Sequence, residues 1–254
     1  MMKLNALAGL FVASIGIFSH TSVQAAIGLD RTRVVYNGGE KSISLSVNNN
    51  NAKLPYLAQA WLEDEQGKKM EGNTSPLMVL PPIQRVEPKG KGQVKIQSNA
   101  LTAKLPQDRE SLFYFNMREI PPKSEKSNVL QIALQTRIKL FYRPALLAAQ
   151  ASDKQNAPFQ EKITLSKKGD RYQVNNPTPY YVTLIGASAK AGEKSVSGFE
   201  AVMLAPNSHI TLGGSAAALG NAPVLTYIND YGGQPQLIFG CQAQQCVVKS
   251  SIAK

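Results

Sequence analysis

SNVLQIALQTRIKLFYRP, residues 127–144, is the stretch that decides how the chain is read. Val129, Leu130, Ile132, Leu134, Ile138, Leu140 and Phe141 make it β-rich, and it is longer than an ordinary buried strand of about 5–6 residues. Leu130, Ile132 and Leu134 alternate with Gln131, Ala133 and Gln135, so one side of the run is apolar. Thr136 continues that side, and the basic Arg137 and Lys139 follow. Such a strand is either a packed core element or an edge offered to another chain.

Upstream, short β signals recur between turn residues. Ile27 to Tyr36 reads as a first strand carrying Arg31 and Arg33, closed by Asn37-Gly38-Gly39. Ile43, Leu45 and Val47 alternate with Ser42, Ser44 and Ser46, the pattern of a half-buried strand. Pro55 to Glu63 is the next, with Trp61 expected in the core as its largest packing unit. Met78 to Val86 is broken by Pro81-Pro82, which predicts an edge or a bend. Gln93–Gln97 and Leu112–Met117 complete a set of about seven strands, and no run carries helical periodicity.

Ala145 to Pro158 loses the alternation and is rich in Ala, Gln, Ser and Asp, which makes it the best domain boundary. Beyond it, strands are expected at Phe159–Leu165, Tyr172–Asn175, Tyr180–Gly186, Ala201–Leu204, His209–Leu212, Val224–Ile228, Gln236–Gly240 and Val247–Val248. Even spacing with Gly, Pro and Asn turns predicts a second β-sandwich. Gly213 to Gly220 reads as a small-residue loop. The expectation is an all-β chain of two sandwich domains, residues 26–147 and 148–254, behind a leader at 1–25.

The leader rests on MMKLNALAGLFVASIGIFSHTSVQA: basic Lys3, an apolar Leu4–Phe18, and a small-residue cleavage site at Val23-Gln24-Ala25. The apolar run is short for a membrane span, no basic stop-transfer cluster follows, and no later run is apolar for a bilayer's width. An exported protein that is not membrane-embedded is expected. The formal charge is +11. Export and the lack of a dense basic–aromatic motif argue against nucleic acid, so a few of these cations are assigned to carboxylates of a partner.

Enzyme chemistry finds little support. There is no glycine-rich phosphate loop, no H-E-x-x-H and no G-x-S-x-G turn. His209 is the one histidine after the leader, which disfavours a Ser-His-Asp or Cys-His arrangement and a metal site alike. Asp30, Asp64, Glu65 and Glu110 have no spacing that marks paired catalytic carboxylates. Cys241 and Cys246 are expected to form a disulfide pinning a terminal hairpin, as an oxidising compartment favours, with two free thiols as the alternative. No cofactor is expected.

LPQDRESLFYFNMREIP, residues 105–121, resembles the signature of the periplasmic chaperones of the chaperone–usher pilus pathway. The resemblance continues through residues 127–144, Asn176-Pro-Thr-Pro-Tyr-Tyr-Val-Thr183 and Tyr227-Ile-Asn-Asp-Tyr-Gly-Gly233, and ends at the two-cysteine hairpin. It implies two immunoglobulin-like β-sandwich domains arranged as an L, in a periplasmic protein that binds pilus subunits and a tip adhesin and delivers them to an outer-membrane usher.

It also implies roles for particular residues. Pilus subunits of this pathway lack their last strand, and the chaperone's seventh strand fills the groove by strand addition, one of the known cases of that recognition mode. Leu130, Ile132 and Leu134 would then be the donor side chains, and Arg33 with Lys139 would hold the subunit's C-terminal carboxylate. Glu110, Arg143 and Asp230 match the family's interdomain charge network. The short connection Ile120–Ser127 goes with the branch that assembles rod-like pili; Asn116 and Asn176-Pro-Thr-Pro179 read as structural, a local polar bond and a rigid turn. Weak self-association of the free chaperone through its exposed strand is a further partner expectation. The alternative identity is a structural pilus subunit or adhesin, which would need an N-terminal donor extension and an incomplete sandwich.

Overall fold

The structure is a computed structural model, and it describes residues 25–125, 128–152 and 157–253. The leader, apart from Ala25, lies outside the described residues.

Nine strands form the first domain: β1 (Ile27–Leu29), β2 (Arg33–Asn37), β3 (Ser42–Asn49), β4 (Tyr56–Glu63), β5 (Leu77–Leu80), β6 (Ile83–Val86), β7 (Lys91–Ser98), β8 (Ser111–Ile120) and β9 (Gln135–Arg143). They make two sheets, ordered β1-β3-β7-β5 and β2-β9-β8-β4-β6. Alternation is the cause. Leu45 and Val47 of β3, Val94 and Ile96 of β7, and Phe113, Phe115 and Met117 of β8 turn into one shared core, while the serines and lysines between them face water.

Pro81-Pro82 bends the chain between sheets, as the sequence predicts: β5 pairs with β7 in one sheet and β6 with β4 in the other. The first strand divides in the same way, β1 pairing with β3 and β2 with β9.

A helix, α1 (Ala145–Ser152), leaves β9 and leads towards the second domain. That domain holds β10 (Thr164–Lys168), β11 (Arg171–Asn176), β12 (Val182–Ser188), β13 (Val202–Leu204), β14 (Ser208–Thr211), α2 (Ala216–Leu219), β15 (Val224–Ile228), β16 (Gln236–Gln242) and β17 (Gln245–Ile252). Its strands form one sheet, β13-β12-β15-β16-β17-β10-β11-β14, around a separate core that includes Leu165, Tyr172, Leu184, Tyr227, Leu237 and Phe239. Both domains are immunoglobulin-like β-sandwiches.

Five expectations need correction. The long strand is shorter than the sequence pattern suggests: β9 begins at Gln135, and residues 128–134 are not strand. Its ladder with β8 ends at Arg118↔Gln135, and past it one backbone bond remains among the described residues, from Glu119 N–H to the Leu134 carbonyl. A segment with so little pairing has no ladder to join.

Trp61 is not a core residue. Ala58, Ala60 and Leu62 take the inward positions of β4, leaving Trp61 half-buried on the outer face, where its indole N–H donates to Glu63 Oε1 (3.1 Å) beneath Arg118. The boundary at Ala145–Pro158 contains a helix, because a run of Ala and Leu after Pro144 favours one without needing an amphipathic period. Phe159–Lys162 is a 3₁₀ turn rather than the start of a strand. The Gly213–Gly220 stretch is ordered by α2, whose N-cap Ser215 Oγ accepts from Ala218 N–H (3.1 Å) and whose Ala216 and Leu219 are buried.

Candidate functional site

The site is built on the pairing of β2 with β9. The two strands run parallel, and Arg33 lies directly opposite Lys139. Inward positions of β9 are Ile138, Leu140 and Tyr142, all in the first core, so Lys139, Phe141 and Arg143 emerge on the other face, towards the second domain.

There the two cations, Arg33 and Lys139, meet neutral acceptors. Lys139 Nζ lies 3.3 Å from Thr183 Oγ1, and Arg33 Nη1 donates to the Ile228 carbonyl at 3.1 Å, with its guanidinium 5.8 Å from the Phe141 ring centre. Arg33 is 9% exposed and its Nε has no partner. Burial pushes the Arg33 guanidinium down from its ordinary value, against the pull of Asp230 and Glu110. Burial and then Arg33 itself push Lys139 down. Two like charges side by side, each with spare donor capacity, make a receptor for an anion.

Upstream along β9 the side occupied by β2 is open, because β2 starts only at Arg33. The residues there are the predicted donors. Leu130 is 86% and Ile132 63% exposed, and Leu134 is half-buried. They keep the parity of Ile138, Leu140 and Tyr142 but extend past the last strand pairing of the sandwich, so the first domain offers them no core.

Glu110, Arg143 and Asp230 come together as the resemblance implies. Arg143 Nε donates to Glu110 Oε1 at 2.7 Å, and its two terminal nitrogens grip Asp230 at 2.8 and 3.2 Å. The Glu110 carboxylate also accepts from Tyr181 N–H (2.7 Å), and the Glu110 N–H donates to the Pro179 carbonyl, so a first-domain residue is bonded twice to the second domain. Burial works against the Arg143 charge, but Glu110 and Asp230 more than compensate and raise it. Burial pushes the Glu110 carboxyl up, while Arg143 and Tyr181 N–H pull the other way. Tyr180 and Phe159 stack 4.1 Å apart beside the guanidinium.

Asp230 lies in the turn after β15, where Asn229 Oδ1 accepts from the N–H groups of Tyr231 and Gly233. A cavity of about 380 Å³ opens beside the network, lined by Arg33, Arg143, Asp230 and Tyr231. The larger one, about 800 Å³, lies away from the anchor pair, between β4 and β5.

The remaining assignments are structural. Cys241 and Cys246 form a disulfide across the β16–β17 hairpin. Asn176 Nδ2 bonds the Tyr180 and Ala205 carbonyls, fixing the Pro-Thr-Pro turn, and Asn116 Oδ1 accepts from Gln135 Nε2. Sequence reasoning missed Thr183 and the Ile228 carbonyl, although both lie inside the quoted motifs; only the second domain's approach to Lys139 and Arg33 gives them a role.

Two immunoglobulin-like domains joined by a buried charge network, with an unpaired apolar segment beside an anion receptor, define a strand-donating binding protein. Residues 26–148 match the profile described as "Pili and flagellar-assembly chaperone, PapD N-terminal domain", and residues 158–239 match "Pili assembly chaperone PapD, C-terminal domain". The chain belongs to the PapD family of pilus-assembly chaperones, which act by binding rather than by catalysis. It is 49% identical to the chaperone protein PapD of Escherichia coli over 94% of this chain and 97% of that one. Among solved structures it resembles the periplasmic chaperone SfaE (33% identity, TM-score 0.61, covering 84% of this chain and 98% of that one). The CupB2 chaperone of Pseudomonas aeruginosa is similar too (33%, TM-score 0.63, 83% and 97%).

Proposed function

We propose that the chain is a periplasmic chaperone whose residues 129–139 complete the unfinished sandwich of a pilus subunit, with Leu130, Ile132 and Leu134 entering its groove. Arg33 and Lys139 bind the subunit's C-terminal carboxylate, and the loaded complex passes pilus subunits and the tip adhesin to an outer-membrane usher. The carrying observation is the exposure of Leu130 and Ile132 on the segment that leads directly into Lys139.

Direction follows from the same place. A strand entering on the open side of β9 must end where β2 begins, at the register position shared by Arg33 and Lys139. With its carboxylate on those two cations, its C-terminus lies at the Lys139 end and it runs parallel to β9. Burying each Leu or Ile contributes about 1.5–3 kcal/mol before ordering costs, and no nucleotide is needed to drive the exchange.

The leader at residues 1–25, the partition at 26–147 and 148–254, and the periplasmic address belong to this reading. It is supported by the domain profile that starts at residue 26 and by the periplasmic relative. Titration with a peptide copying a subunit's last strand tests it. The free acid should bind and the C-terminal amide should not; equal binding of both would remove the anchor role from Arg33 and Lys139.

A further inference from the structure

Glu119 is a buried carboxylate with no counter-ion among the described residues. It is 5% exposed, at a position whose parity on β8 is that of the core residues Phe113, Phe115 and Met117. Among the described residues its carboxylate accepts one hydrogen bond, from Ile27 N–H at 2.9 Å. None of the ion pairs among the described residues includes it. One neutral amide is thin compensation for a carboxylate taken out of water.

We propose that the counter-ion is the α-ammonium of Ala26, created when residues 1–25 are removed, so that Glu119 is the binding site for the mature N-terminus. The inference rests on the leader reading given above. In the unprocessed chain the Ala26 nitrogen is a neutral peptide N–H. It is also the backbone nitrogen next to the one that Glu119 already holds. Ala26 is itself buried at 9% exposure, and its carbonyl accepts from Asn50 N–H at 2.6 Å, so the residue is fixed in place beside the carboxylate. Cleavage then adds a positive charge where the negative one lacks a partner, and a neutral contact becomes a charge-assisted one.

The pairing links processing to the binding segment. Glu119 uses its backbone N–H to hold the Leu134 carbonyl (3.0 Å), the last bond before residues 128–133 leave the sheet. Fixing Glu119 through the new N-terminus thus fixes the base of the segment that carries Leu130 and Ile132. A chain that keeps its leader folds without this contact and is the less stable form.

The test uses the processed protein, its N-terminus located by mass spectrometry, together with Glu119→Gln, a form carrying Gly-Ser ahead of Ala26, and the form with both changes. Each single change should raise the unfolding equilibrium constant by about tenfold, and the two together should do no more than one alone. Fully additive effects would overturn the pairing. A crystal structure of the processed protein gives a check that does not depend on any variant folding: the Ala26 nitrogen should lie within about 4 Å of a Glu119 oxygen, and a greater separation overturns the proposal. An N-terminus found elsewhere than Ala26 would instead overturn the leader reading itself.

Discussion

Arg33 and Lys139 are register partners across a parallel strand pair, two cations held side by side with no ion-pair partner among the described residues. Each is lowered by burial, and Lys139 additionally by its neighbour. The free protein therefore carries an unfavourable charge arrangement that a carboxylate relieves. Lys139→Met should weaken binding of a free-acid peptide by several kcal/mol while leaving the melting temperature of the free protein unchanged or higher. Calorimetric titration and a thermal melt together read this; a variant that binds normally, or one that is destabilised, would contradict it.

The same lowering fixes a pH dependence. A bound carboxylate stabilises the ammonium, so the Lys139 pKa rises on binding from its depressed free value. Affinity should be greatest below that depressed value. It should fall as pH climbs from the free-state to the bound-state pKa, and again at acid pH where the α-carboxyl takes a proton at about 3.3–3.7. Peptide affinity measured across alkaline pH should lose this slope in Lys139→Met.

Ile132 is 63% exposed and Leu140 is 0% exposed, though both keep one parity along the run. Ile132→Asp should change stability by less than about 0.5 kcal/mol yet abolish co-purification of pilus subunits. Leu140→Asp should prevent folding, because the charge would enter the core. Urea unfolding set beside pull-down separates the two; an unfolded Ile132→Asp would return residues 128–134 to the core.

Arg143 holds Glu110 at 2.7 Å and Asp230 through two nitrogens, across the domain boundary. Replacing it by Met strands the Glu110 carboxyl, 3% exposed, and should cost about 3–5 kcal/mol. Adding Glu110→Gln should recover part of that loss. Small-angle scattering should show a changed interdomain distance distribution for Arg143→Met; an unaltered profile would mean that the network does not set the domain arrangement.

What the sequence shows well is what alternation controls. The Ser–Ile–Ser–Leu–Ser–Val pattern of β3, the break at Pro81-Pro82 and the cysteine pair each correspond to an observed element. What it hides depends on partners distant in the chain. Period two marks Leu130, Ile132 and Leu134 as a strand face, but a strand needs a neighbour, and the β8 ladder stops at Gln135. Trp61 looks like core by size, yet parity on β4 gives the inside to Ala58, Ala60 and Leu62. Composition without a period conceals α1 and α2.

Of the site, the Arg33–Lys139 pair and the Glu110–Arg143–Asp230 network were legible through the family resemblance. No spacing in the chain brings residues so far apart together. Glu119 was not legible at all, since nothing local marks one glutamate as the buried one.

Because β2 begins opposite Lys139, the edge of β9 is closed at one end like a ruler with a raised stop. A guest strand pushed against that stop is aligned by its own terminus, counted backwards from its last residue, whatever the sequence before it. Fit then depends on where a chain ends more than on which side chains it carries. Under the proposed anchoring, subunits that differ in sequence but end at that register would share one seat, and a tail extended beyond it would have to be turned aside.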